Sequence, residues 1–238
     1  MTDALFGKDG ARFGGTSDVA VDMVPAATVV LLRDTADGIE TLVLLRNSKL
    51  AFAGGMWVFP GGRVDDDDRG GGADALEAAR RAAVREAAEE AGLEVDAAAL
   101  VPYSHWCPPA VASKRFATWF FLAPAPGGSV VVDDGEITDH IWVPPDQGLR
   151  LRDQGEIELA PPTWVTLYEL SKFATVADAL VAARDQEPEF FETRVAVAGD
   201  TIVAIWHGDA GYETADVDAP GARHRLDMAP TGWRYRRD

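Results

Sequence analysis

The stretch Arg85-Glu86-Ala87-Ala88-Glu89-Glu90-Ala91-Gly92-Leu93 decides the reading of this chain. Glu86, Glu89 and Glu90 stand at i, i+3 and i+4, so a helix brings the three carboxylates onto one face within about one turn. Gly92 supplies a C′ stop, which puts Glu89 and Glu90 in the last helical turn. Negative charge there opposes the helix dipole, and each like-charge neighbour adds roughly 0.2–0.5 kcal/mol of repulsion. A divalent cation reverses the sign of that argument, because clustered hard oxygen donors suit Mg²⁺, Mn²⁺ or Ca²⁺. The plain alternative is a solvated acidic face, with Arg85 and Glu89 as an ordinary i,i+4 pair.

Upstream lies Phe59-Pro60-Gly61-Gly62-Arg63-Val64, followed by the aspartates Asp65 to Asp68 and a glycine-rich loop running to Asp74-Ala75-Leu76-Glu77. Asp74 is a good N-cap with Glu77 three residues on, the spacing of a capping box. Val84, Ala87, Ala88 and Ala91 give the helix an apolar stripe. A calcium loop has similar spacing: Asp66, Asp68, Gly70, Gly71, Asp74 and Glu77 fall at its positions 1, 3, 5, 6, 9 and 12. Position 5 lacks a side-chain oxygen, however, and the preceding "GGMWVFPGGRV" cannot form an entering helix.

Taken together, "FPGG…E…REAAEEAGL" resembles the signature of the Nudix hydrolases. In that family a glycine is followed after five residues by Glu, then after seven by R-E-U-x-E-E-x-G-U, with U bulky and aliphatic. Glu77, Arg85-Glu86, Glu89-Glu90 and Gly92-Leu93 fit the spacing. The first U position is the small Ala87, and fourteen residues separate Gly62 from Glu77. We take 65–73 as an insertion, an acidic mobile rim pointing away from the pocket, and keep Gly61 and Gly62 as the structural glycines in preference to Gly71. The resemblance implies an α/β/α sandwich with a mixed sheet and hydrolysis of a nucleoside diphosphate derivative with Mg²⁺ or Mn²⁺. It makes Glu86, Glu89 and Glu90 metal ligands together with the Gly61 carbonyl, with Arg85 orienting the glutamates. Glu86 and Glu89 are catalytic candidates, and which carboxylate acts as base stays open. Glu136, in "DDGEITDHIWVPP", matches a further family carboxylate; a surface loop acid is the alternative.

"LLRNSKL" leading to "VFPGGRVDDDD" resembles the coenzyme A diphosphatase branch, and "HWCPPAVASKRFATWFFLA" and "LAPPTWVTLYEL" resemble its longer, peroxisomal acyl-CoA type. Coenzyme A or acyl-CoA is therefore the first substrate expectation, ahead of NADH, ADP-sugars and oxidised nucleotides. A Nudix-fold sensor without turnover is the alternative from another class; the complete set of box glutamates speaks for the enzyme. Arg46, Arg115 and Gly62 are substrate-binding candidates, with Lys114 as a further cation. Trp57, Trp106, Trp119 and Phe121 are stacking or core aromatics.

Composition bounds the rest. The chain has 238 residues, is 47% hydrophobic and 26% charged, and carries a net charge of −17. That balance is ordinary for a globular protein and argues against a nucleic-acid surface. One cysteine, Cys107, excludes an internal disulfide. No signal-like start or long apolar run occurs, so the expectation is a cytoplasmic protein with no membrane partner and a possible homodimer. Residues 1–24 read as a loose arm, 25–185 as the hydrolase domain and 186–238 as an appended β element. In the last, "TRVAVA" and "TIVAIW" flank Gly199-Asp200 as a type II′ hairpin. Within the domain, Ala27–Arg33, Thr41–Arg46, "MWVFPGG", "ATWFFLAPA" and "HIWVPP" read as strands, and 146–154 and 163–184 as helices.

Overall fold

The computed structural model describes residues 23–50, 53–112 and 114–238; nearly all of the N-terminal arm lies outside them. Strands β1 (Val24–Thr35), β2 (Gly38–Arg46), β3 (Trp57–Val58), β4 (Gly61–Arg63), β5 (Val101–Cys107), β6 (Phe116–Pro124), β7 (Ile137–Val143) and β8 (Glu189–Glu192) form one mixed sheet in the order β3-β2-β1-β6-β5-β8. β4 pairs with β1, and β7 with β2. The "MWVFPGG" segment is two short strands rather than one, with Pro60 between them where it can donate nothing to a ladder.

Period-two alternation gives the sheet two apolar faces. On one, Ala27, Val29, Leu31, Leu42, Leu44 and Phe121 pack against helix α1 (Ala75–Ala91). Its inward residues Ala78, Ala79, Ala82, Ala83, Ala87 and Ala91 are all buried, so the backbone can sit close to the strands. Asp74 caps α1 by accepting from the Glu77 N–H at 2.8 Å, and Gly92 ends it at φ +65°. On the other face Val30, Leu32, Val43, Phe120 and Leu122 meet α3 (Pro161–Leu170) and α4 (Val176–Arg184), with α2 (Pro145–Asp153) alongside. The result is an α/β/α sandwich.

The last strands, β9 (Arg194–Ala198), β10 (Thr201–Ile205), β11 (His224–Ala229) and β12 (Gly232–Arg237), make a second, antiparallel sheet in the order β12-β11-β10-β9. The expected hairpin is thus half of a four-stranded element; Gly199 takes φ +63° at its turn. Ala204, Trp206, Leu226, Met228 and Tyr235 join the same cluster as α3 and α4. The outer face holds Arg225, buried and bound to Asp209 at 2.5 Å. Among the described residues no helix is long and apolar enough to cross a membrane.

Candidate active site

The site forms where the C-terminal half of α1 lies against β4. A Cβ on Gly62 would stand 2.3 Å from Glu86 Oε1, and one on Gly61 would stand 2.4 Å from the Ala27 carbonyl oxygen. Only glycine permits both approaches. The Gly61 N–H donates to Glu90 Oε2 at 2.9 Å, so strand and helix are joined through the carboxylate itself. Gly71, which matches the box spacing by number, has open space around it.

The three glutamates have different surroundings. Glu90 is 5% exposed, whereas the Glu89 side chain is 59% exposed. Burial pushes the Glu90 carboxyl up to about 8; the Gly61 N–H works against the rise, Glu86 adds to it, Arg46 opposes it and Glu136 adds again. Burial also raises Glu86, with Arg85 pulling it back. Arg85 donates from Nη1 to Glu86 Oε1 and Glu89 Oε2, both at 2.9 Å, and from Nη2 to the Arg63 carbonyl at 2.9 Å. This fork holds two glutamates at once, which a lysine ammonium could not do with the same rigidity.

The insertion after Val64 contributes a residue that its charge run concealed. Residues Asp67–Gly72 form short 3₁₀ turns broken by a kink at Gly70 and Gly71, and Asp68 within them is 6% exposed. Asp68 Oδ2 accepts from Arg85 Nη2 at 3.2 Å and from the Asp65 N–H at 2.9 Å. Burial alone would lower the Arg85 guanidinium; the hydrogen bond to Asp68, then the charge and hydrogen bond of Glu86, raise it above its ordinary value. The loop is therefore anchored on the box arginine and does not point away. The same contacts set aside the calcium loop, as Glu77 turns to Arg80 and Arg81 at 3.6 and 3.4 Å.

Arg46 reaches the site from the end of β2. Its Nη1 lies 3.5 Å from Glu90 Oε1, and its Nη2 donates to Glu136 Oε2 at 3.1 Å. Glu136, 61% exposed, is carried by a loop tied down at both ends. The Asn47 N–H donates to the Glu136 carbonyl at 2.7 Å, and the Asn47 side chain to the Gly135 carbonyl at 3.0 Å. Asp133 accepts from the Glu136 and Ile137 N–H groups at 2.9 and 2.8 Å. Burial would raise the Asp133 carboxyl, but these donors hold it below the usual range.

Arg115 is placed elsewhere. Its guanidinium donates to the Pro108 carbonyl, at 3.2 Å from Nη2. Trp119 pairs with Ala27, and Ala27 with Gly62; Arg115 lies four residues before that row, about 13 Å along the strand. Lys114 is exposed. Among the aromatics, Trp106 and Phe121 are core, Trp106 stacking on Phe191 at 3.8 Å, while the partly buried Trp119 stacks on His105 at 4.5 Å. Trp57 is partly buried against the core. Buried Cys107 has its thiol pushed up by burial and by Glu192, which suits a packing role.

Among the described residues no three His, Cys, Asp or Glu side chains already converge on one point. The donor chemistry nevertheless suits a hard divalent ion, with carboxylate oxygens two of which repel one another in a poorly solvated position. A family model for the NUDIX domain matches residues 23–163, more than half of the chain. The chain belongs to the Nudix family. It is a pyrophosphohydrolase of that family, whose members act on small-molecule diphosphates and generally use divalent metal ions. A NUDIX hydrolase from Alicyclobacillus acidocaldarius shares the fold at TM-score 0.62 and 24% identity, over 68% of this chain and 97% of that one. A MutT NUDIX hydrolase from Burkholderia pseudomallei aligns at TM-score 0.47 and 23% identity, over 62% and 98%. The C. elegans Ap4A hydrolase aligns at 0.45 and 22%, over 67% and 98%. No curated protein matches.

Proposed function

We propose that this Nudix enzyme hydrolyses the diphosphate linkage of coenzyme A or an acyl-CoA, with Mg²⁺ or Mn²⁺ held by Glu86, Glu89, Glu90 and the Gly61 carbonyl and with Glu136 completing the set. The observation that carries the hydrolytic reading is the junction of Glu86 and Glu90 with Gly62 and Gly61, locked from either side by Arg85 and Arg46. A bound divalent ion supplies charge neutralisation at the phosphate oxygens and a more acidic water. The chain's own residues do the rest. Arg85 fixes Glu86 and Glu89 relative to one another, and Asp68 fixes Arg85. Arg46, between Glu90 and Glu136, stands where it can meet a phosphate oxygen. Water adds to one phosphorus, the bridging oxygen leaves with the other phosphate, and a carboxylate takes the proton.

The coenzyme A assignment rests on the Arg46-Asn47-Ser48 and Phe59-Pro60-Gly61-Gly62 context and on the "APPTWVTLYEL" segment. The test is a panel of coenzyme A, acetyl-CoA, NADH, ADP-ribose and diadenosine tetraphosphate with Mg²⁺ or Mn²⁺, products identified by mass. Coenzyme A should give 3′,5′-ADP and 4′-phosphopantetheine. AMP from ADP-ribose or NADH at a much higher kcat/KM moves the enzyme to another branch.

A further inference from the structure

The sheet face opposite α1 carries a cavity of about 140 Å³ between β5, α3, α4, β8 and the last strand, β12. Apart from Tyr103, Ser104 and Trp106, every residue of its wall lies beyond position 163, where the family match ends. It is on the far side of the sheet from the box glutamates, so the diphosphate chemistry does not use it.

Two polar atoms in this wall have no protein partner among the described residues. Thr166 is 1% exposed and its Oγ1 has no hydrogen-bond partner among the described residues. Glu169 Oε2 accepts from Lys172 at 2.7 Å, but Oε1 is buried with no partner among the described residues. Leaving such atoms unpaired is unfavourable, the more so for a charged group. A carboxylate oxygen can only accept, so what satisfies Oε1 must donate. The wall's cation, Arg237, is already bound to Glu189 at 2.5 Å. With Glu187 exposed at the rim, acid outnumbers base around the space. Tyr103, Trp106, Phe173 and Phe191 supply ring surface, which attracts cations. Burial, with Glu169 and Glu189 nearby, raises the Tyr103 phenol and keeps it neutral. A cavity of about 150 Å³ accommodates a benzene-sized molecule.

We propose that this cavity binds a small organic ammonium ion of about benzene size, its N–H groups donating to Glu169 Oε1 and Thr166 Oγ1 and its apolar part against the aromatic wall. The appended sheet then has a role, since Arg237 on β12 and Glu189 on β8 close the space and the ligand clamps them to α3.

The probe is benzylammonium, compared with benzyl alcohol, benzoate and toluene, on the full chain by protein-observed NMR titration and by crystal soaking. Benzylammonium should bind saturably and at least tenfold more tightly than the other three. Glu169→Gln should weaken it at least tenfold, Thr166→Val severalfold, and diphosphate hydrolysis should be unchanged in both variants. The proposal is overturned by equal affinity for benzyl alcohol, by preference for benzoate, by binding indifferent to Glu169→Gln, or by a cavity holding ordered water only at saturating probe. None of these outcomes depends on the substrate of the box site.

Discussion

Glu90→Gln isolates the electrostatic strain of the site. In the folded chain the Glu90 carboxyl is pushed from 4.5 up to about 8, burial being the largest cause. Its folded value lies above its unfolded one, so ionisation opposes folding. The penalty is absent below about pH 4.5, grows as pH rises, and levels off above 8. A rise of that size corresponds to about 5 kcal/mol in full and roughly 4 kcal/mol at pH 8. A glutamine oxygen still accepts from the Gly61 N–H, and the attraction of Arg46, 3.5 Å away, is already contained in that net rise. With EDTA present, Glu90→Gln should thus be about 4 kcal/mol more stable than the parent at pH 8 and within about 1 kcal/mol of it at pH 5. Urea unfolding followed by tryptophan fluorescence between pH 5 and 9 measures this. Parallel pH dependences, or a variant less stable at pH 8, would show that burial does not strain the Glu90 carboxylate. With Mg²⁺, turnover should fall about a thousandfold, as several kcal/mol of transition-state stabilisation is lost.

Glu89→Gln should lose turnover to a similar degree yet leave stability within about 0.5 kcal/mol, since its side chain is 59% exposed; a large stability change would show that Glu89 is structural. Asp68→Asn removes the charge behind Arg85 and should lower kcat about tenfold with KM nearly constant, whereas Asp66→Asn, at an exposed position, should be silent in the same steady-state assay. Gly62→Ala places a methyl 2.3 Å from Glu86 Oε1 and should cut turnover and lower stability by about 1–3 kcal/mol in urea unfolding. Gly71→Ala meets open space but a left-handed backbone, φ +72°, so it should cost about 1 kcal/mol of stability while turnover stays near the parent's.

Much of this architecture was legible in local signals. Asp74 and Gly92 bound α1 as cap residues do, and the glutamate spacing marked one side of it as unusual. Spacing could not separate Glu90, held inside by the Gly61 N–H, from Glu89 one position earlier and mostly in water. Asp68 was hidden for the opposite reason: four consecutive aspartates look alike until one meets Arg85, 17 positions on. "VPYSHWC" shows little β signal because its strand character comes from distant partners, β6 and β8. In β11 and β12 arginines interrupt the apolar pattern, and their ion pairs, Arg225 with Asp209 and Arg236 with Asp227, exist only once the sheet has formed.

On the proposed mechanism, the α1 carboxylates hold the ion on which hydrolysis depends. Metal-stripped protein titrated with Mn²⁺, with bound ion counted by electron paramagnetic resonance while coenzyme A or the best panel substrate is turned over, tests it directly. Turnover should be nil in EDTA and rise in step with occupancy, and Glu86→Gln and Glu90→Gln should weaken Mn²⁺ binding and turnover together. Full turnover by the stripped protein in chelator, or Mn²⁺ binding unchanged in both variants, would contradict it.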